Sequence, residues 1–168
     1  VAPNGQPLGD FGERLVAYLL DSLLLTFVSM IFTVPFAFYF FVEVWAPAMA
    51  DAETSTEPPW AAIGGFVLVQ VGIVVVMLLV AYVYFVEVML RSGGQTLGKR
   101  VMKLRIVPLD PAARLGRGMA VRRYLVQYIA GFVVPFFSYL DGLWQLWDKP
   151  YRQCLHDKWA QTVVVKQP

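Results

Sequence analysis

The sequence predicts an all-α integral membrane protein: two long transmembrane helices, a third membrane segment that is Pro-broken or re-entrant, and a small cytoplasmic β/turn layer. Three observations predict it. The 168 residues are 58% hydrophobic and only 15% charged, which leaves too little polar surface for an ordinary water-soluble domain. Two apolar stretches each exceed the roughly 20 residues needed to cross the hydrocarbon. The net charge is only +2, yet the cationic side chains crowd between Arg91 and Arg123, and that asymmetry sets the orientation. One membrane domain over 1–168 accounts for the whole chain.

The first span is expected over 15–45, interrupted only by Asp21 and, at its far end, Glu43. Pro35 removes a backbone donor in its second half, so a kink is expected there. The preceding residues, 1–10, are polar and Pro/Gly-rich and lack a basic leader. The apolar run is also longer than a signal-peptide core, so it reads as a retained anchor. The stretch 46–62 then gathers Pro47, Asp51, Glu53, Glu57, Pro58 and Pro59 with no lysine or arginine, as an outside loop.

The second span is expected over 63–90, nearly all aliphatic and aromatic until Glu87. Gly65 and Gly72 lie seven residues apart on one face. They would let another helix pack closely there, or simply be tolerated in a membrane helix. The segment 91–123 holds nine lysines and arginines against the single acid Asp110. By the positive-inside bias it is cytoplasmic, and with it the N-terminus, in a bacterial plasma membrane crossed more than once. Within it Met102, Leu104 and Ile106 alternate with Lys103 and Arg105, a strand period closed by Pro108.

The third apolar stretch, 124–147, has Pro135 near its middle, with Asp141 and Gly142 after it. A single crossing would carry the tail 148–168, with Lys149, Arg152, Lys158 and Lys166, to the outside. A helix pair broken at Pro135 and returning to the cytoplasm is preferred, and such backbone survives at membrane depth when buried in protein. The return would also let Thr162–Val165 pair as a strand with 101–107. Trp144, Trp147, Tyr151 and Trp159 suit the headgroup level of an interface.

Arg14 and Asp21 share a helix face two turns apart, about 10 Å in rise, too far for contact. An aspartate inside the hydrocarbon costs about 2.5–3.5 kcal/mol on insertion scales, so it must find a partner. Lys99, Arg100, Arg122 and Arg123 are the candidates for Asp21, and Asp157 is the candidate for Arg14. The resulting carboxylate is either a fixed structural ion pair or a titrating site for a cation or proton. A polar cluster of Arg14, Asp21, Gln95, Thr96, Lys99, Arg100, Arg122, Arg123, His156 and Asp157 is expected near the inner membrane surface.

Three chemical readings fall away. Gly93 to Arg100 superficially fits the phosphate-cradling G-x4-G-K pattern, but Arg100 stands where Ser or Thr should hold magnesium, and the run follows a membrane span. Cys154, His156 and Asp157 crowd nucleophile, base and orienter into four residues, unlike a catalytic triad. They are also too few for a metal site; the lone Cys154 forms no internal disulfide. His156 and Asp157 read as capping and hydrogen-bonding residues that dock the tail. No catalytic residue, metal, cofactor or nucleic-acid partner is therefore expected.

The arrangement resembles the RDD family of small, mostly bacterial membrane proteins, named for one arginine and two aspartates. Three motifs carry the match in order: Arg14 to Asp21, the turn Gly94 to Arg100 leading into Leu104–Val107, and the tail Gln153 to Val165. The resemblance assigns the arginine to Arg14, the first aspartate to Asp21 and the second to Asp157. Cys154 and Gln161 depart mildly from the small or polar residues expected at their positions. For activity the resemblance implies little: transport of unidentified ligands, and sodium/proton exchange for some members.

Three apolar segments can hardly enclose a pathway alone. The sequence thus points to a noncatalytic module, an accessory or stabilising subunit of a larger membrane complex or transporter. The alternative is a small ion- or proton-coupled transporter acting as an oligomer through Asp21. Expected partners are anionic headgroups at the cytoplasmic face and either another protein or further copies of this chain.

Overall fold

A computed structural model of the protein describes residues 1–52 and 60–167. The middle of the stretch expected to be the outside loop, 53–59, lies outside the described residues. The chain divides into two compact units, 24–80 and the combination of 1–23 with 81–168. Helices α1 (Phe11–Phe40) and α3 (Trp60–Tyr82) contribute to both.

In the unit 24–80, α1 continues unbroken through Pro35. A π-helical stretch follows at Phe41–Trp45 and runs on into α2 (Ala46–Ala52). The first seven residues of the expected loop, Ala46–Ala52, are helical instead. Helical apolar runs of 41 and 32 residues, Phe11–Asp51 and Trp60–Arg91, are long enough to cross a membrane, and both exceed the spans expected from sequence. Phe40 meets Phe66 with ring centroids 4.9 Å apart. A Cβ added at Gly65 or Gly72 would meet nothing within 4 Å, so neither glycine serves a close approach among the described residues. Gly72 instead lines an open apolar groove of about 300 Å³ with Phe32, Val69, Ile73, Val76 and Met77.

The other unit is organised by a two-stranded antiparallel sheet. Strand β1 (Leu104–Pro108) pairs with β2 (Thr162–Lys166), in a register running from Leu104↔Lys166 to Pro108↔Thr162. The pairing expected between 101–107 and the tail is present, but the strand starts at Leu104. Residues 97–101 form the short helix α5 (Leu97–Val101) instead, and Lys103 takes a left-handed conformation to enter the strand. Alternation in β1 buries Leu104 and Ile106 and exposes Arg105. On the other face Val163 and Val165 pack with Ala2, Leu8, Val107 and Tyr151. The N-terminal segment lies along β2, with a bridge from Leu8 to Val165, Gly9 N–H donating to Val164 O at 3.0 Å and Lys166 N–H to Pro7 O at 2.9 Å.

The second long helix ends with a π stretch at Val83–Val88 and α4 (Met89–Arg91), then turns at Gly93 and Gly94. Gly94 sits at φ +91°, and a Cβ there would lie 2.5 Å from Ile106 O, so the turn onto β1 admits only glycine without displacement.

The third segment is α6 (Arg117–Tyr124), a π stretch at Leu125–Ala130, α7 (Gly131–Val133), and then a break. Val134 is extended and Phe136 left-handed at φ 63°, which is how the chain passes Pro135. Helix α8 (Phe137–Leu143) folds back against the stretch it has just left. Gly131 makes room for it: a Cβ there would fall 2.4 Å from Ser138 Oγ. The chain finishes through a 3₁₀ turn at Trp144–Leu146, α9 (Leu155–Trp159) and β2.

Candidate functional site

On α1, Arg14, Ala17 and Asp21 are buried while Leu15, Val16, Leu19 and Leu20 between them are exposed, so the inward stripe is the polar one. Its two ends carry separate constellations.

Asp21 is 1% exposed and held by three short hydrogen bonds. Tyr84 Oη donates to Oδ1 at 2.6 Å, Gly98 N–H to Oδ1 at 2.8 Å and Thr96 Oγ1 to Oδ2 at 2.5 Å. Lys99 Nζ stands 3.9 Å from Oδ2. Thr96 caps α5, its hydroxyl oxygen accepting from Lys99 N–H at 3.4 Å. At this turn, which superficially resembled a phosphate cradle, the Gly98 amide thus receives the chain's own carboxylate, while Leu97 N–H donates to Tyr84 Oη at 3.0 Å. Gly98 is what permits it: a Cβ would sit 2.1 Å from Ala17 O and 2.9 Å from Asp21 Oδ1. Burial pulls the Lys99 ammonium below the ordinary lysine range, with Asp21 opposing the shift and Arg123 adding to it.

Asp157, fully buried on α9, sits between two guanidiniums. Arg123 Nη1 donates to its Oδ1 and, at 2.5 Å, to Thr162 Oγ1, while Arg14 Nη1 lies 3.5 Å from Oδ2. Arg14 also donates to Arg152 O at 2.8 Å and Val164 O at 3.1 Å, leaving Nε as its one buried donor without a partner among the described residues. Asp157 Oδ2 caps α9 by accepting from Cys154 N–H at 3.2 Å. Burial alone would raise the pKa of Asp157; Arg123, His156 and Arg14 more than offset it and hold the carboxyl well below the usual range.

His156 is bound by Asp141 at two points. Its N–H donates to Oδ1 at 2.8 Å, and its Nδ1 lies 2.6 Å from Oδ2. This clamp ties α9 to α8, the returning limb of the third segment. Asp148 accepts from Gln153 N–H at 2.9 Å, and Gln153 Nε2 donates to Thr162 O at 2.8 Å, so the tail enters β2 already held.

The structure therefore brings together Arg14, Asp21, Thr96, Lys99, Arg123, His156 and Asp157. It does not bring in the other three. Arg100 and Arg122 are exposed: Arg123, one position and about 100° of helix away from Arg122, is the one that turns inward. Gln95 instead ties the turn to the sheet, donating to Leu104 O at 2.8 Å. Arg14 and Asp21 make no contact with each other, and Arg14 pairs with Asp157.

Sequence reasoning missed Tyr84 and Asp141. Tyr84 lies about two turns above the end of its helix and Asp21 about three above the start of α1, so matching depths along the two helices was the available signal.

Cys154, His156 and Asp157 present donor atoms within 4.8 Å of one another. The fit to a cation is poor, since Asp157 is engaged by Arg123, His156 Nδ1 by Asp141, and burial together with Asp157 and Asp141 pushes the thiol pKa up.

Removing only the phenol hydroxyl tests the Asp21 cage. Tyr84→Phe should cost about 1.5–3 kcal/mol, as for a hydrogen bond to a charged group. That is a fall of about 3–10 °C in thermal midpoint in detergent. An unchanged midpoint would show that the hydroxyl is not holding the carboxylate.

No curated protein and no solved structure matches the chain. A family model described as RDD family matches residues 8–161, a range that takes in Arg14, Asp21 and Asp157. With that match and two helices long enough to span a bilayer, the chain belongs to the RDD family of membrane proteins.

Proposed function

We propose that this chain is a noncatalytic integral membrane module that stabilises or regulates a larger membrane complex or transporter. The observation that carries this reading is the contrast between its interior and its flanks. The buried charges are matched inside the chain, Asp21 by three donors and Asp157 by two guanidiniums. The long helices meanwhile present Leu19, Leu23, Phe27, Leu68 and Leu79 outward. A well-satisfied polar interior rigidifies a scaffold, and the exposed apolar flanks suit lipid or a partner's helices.

In this reading the layer carrying Arg91, Arg100, Lys103, Arg105, Arg114, Arg117 and Arg122, all exposed, faces the cytoplasm of a bacterial plasma membrane. Each cation near an anionic surface contributes about 1 kcal/mol. The pairing of the N-terminal segment with β2 supports a cytoplasmic tail, and with it the returning form of the third segment. Gentle extraction through a tag on this chain, followed by native mass spectrometry, should recover a stoichiometric partner. Recovery of a stable lone monomer would remove the basis of the proposal.

A second reading is favoured by one observation: an ionisable residue within a membrane helix, Asp21, faces an ammonium at 3.9 Å that makes no closer polar contact with it. In that reading the chain is an oligomeric exchanger of sodium and protons, with Asp21 as the titrating site. It predicts cation-dependent proton flux in reconstituted vesicles, reduced at least tenfold by Asp21→Asn. Equal flux from the variant and the parent chain, or none from either, would dispose of it.

A further inference from the structure

Between Ala61 and Ala81, helix α3 carries a single polar side chain, Gln70. With Trp60 at headgroup level, Gln70 lies about 15 Å further along the helix, half of a hydrocarbon core about 30 Å thick. Water does not reach that depth, and a glutamine side chain is too short to lift its amide to the headgroups. Gln70 is nevertheless exposed and hydrogen-bonded to no described residue. By contrast, the Ser29 and Thr33 hydroxyls on α1 meet each other at 3.4 Å. Gln70 also sits in a seam: Ile63, Val67, Gln70, Val74 and Met77 follow one another at alternating steps of four and three, the spacing by which one helix packs along another. Val67 is 53% exposed, and Ile63 and Val74 are only half-buried, so no described residue closes the seam around the amide.

A primary carboxamide offers an acceptor oxygen and two N–H donors, so it is its own complement. Copies inserted with the same orientation are related by an axis along the membrane normal, which sets each residue at the depth of its counterpart. We propose that two copies of this chain associate through α3, with the Gln70 carboxamides facing each other across a twofold axis, each donating Nε2–H to the other's Oε1. Lipid tails offer no such group, and a partner of another sequence would need its own polar side chain at this depth; a second copy supplies one of necessity. One polar position in an apolar seam also fixes the register, because sliding by a turn leaves both amides unpaired in hydrocarbon. Val67 and Val74, one turn to either side, close over the pair. The inference rests on this face of α3 alone and holds whether the module is accessory or transporting.

The test uses the purified full chain, carrying a donor or an acceptor fluorophore on a C-terminal tag, in vesicles of phosphatidylethanolamine and phosphatidylglycerol. Energy transfer is followed as the protein is diluted in lipid. The parent chain should show a monomer–dimer equilibrium, which Gln70→Leu should weaken about tenfold and Gln70→Asn, which keeps the amide, should weaken less. Gln70 has no partner among the described residues, so Gln70→Leu should leave the thermal midpoint of the monomer unchanged, which separates lost association from misfolding. Gly72→Leu, about 200° around the helix, should associate as the parent does. Val67→Cys should cross-link between copies under mild oxidation, and Leu68→Cys should not. Transfer no greater than random collision from the parent at every dilution, undiminished association of Gln70→Leu, or loss of association in Gly72→Leu alone would overturn the inference. Only this chain is present, so the outcome is independent of the pull-down that tests the accessory reading.

Discussion

Asp157→Asn should be the most damaging single polar substitution in this protein, costing about 3–5 kcal/mol, because it leaves two buried guanidiniums without their shared counter-charge. Arg14 retains two backbone carbonyls, but Arg123 keeps only the Thr162 hydroxyl. For a chain of this size the thermal midpoint should fall by about 10 °C. The companion variant Arg123→Met removes the closer orphan, so the double substitution should lose less than the sum of the two singles, with a coupling of at least about 1.5 kcal/mol. Strict additivity would show that the pair does not act as a unit.

The same carboxylate gives the stability a pH dependence of known sign. Its folded pKa is depressed, so the unfolded chain takes up its proton first. Its contribution is complete above the unfolded aspartate value of about 3.9 and is lost as pH falls through that value toward the lower folded one. The parent chain should therefore lose stability steeply from about pH 5 downward, and Asp157→Asn should run flatter over the same interval. Parallel curves for the two would contradict the assignment of the acid transition to Asp157.

Gly98→Ala ranks second. Its methyl group would stand 2.1 Å from a main-chain carbonyl of α1, at Ala17, and neither backbone can rotate away. Helix α5 has to move, which costs about 1–3 kcal/mol as overpacking and weakens the amide contact to Asp21, itself worth about 1.5–3. A total near 3 kcal/mol or more is expected, against no loss for Gly118→Ala, where an added Cβ meets nothing within 4 Å and alanine favours the helix. Denaturation in mixed micelles compares the two directly. Equal stabilities would mean that α5 does not pack on α1 as described.

How far the sequence disclosed this architecture varies with the kind of signal. The stripe of Arg14 and Asp21 follows from helical spacing, and β1 from the alternation around Lys103 and Arg105; both are local periodicities. The break at Pro135 follows from proline's missing donor, although Pro35, with the same chemistry, sits in a continuous helix. What separates them is that Val134 and Phe136 adopt non-helical backbone beside a glycine that admits the returning limb, a property of packing and not of proline. The interior near Tyr84 was hidden for another reason. A π stretch places Tyr84, Phe85 and Val86 all inside in succession, which no 3.6-residue pattern predicts. Arg123 was indistinguishable from Arg122 without the rotational phase of α6. Asp141 gave no sign of its partner, because the clamp on His156 joins residues whose proximity depends on the chain having already reversed.

The joining of Arg14 to Val164 spans 150 positions of chain. During synthesis, therefore, the first helix enters its environment long before the groups that neutralise it exist. Until α9 and β2 have been made, Arg14 has neither Asp157 nor Val164 to bind, and it must stay hydrated or be shielded by the insertion machinery. Completion of the polar interior is in this sense a late checkpoint, reached only after the tail has emerged. Ribosome-stalled chains halted before residue 157 should then remain open to proteolysis, whereas chains extended past residue 166 should close.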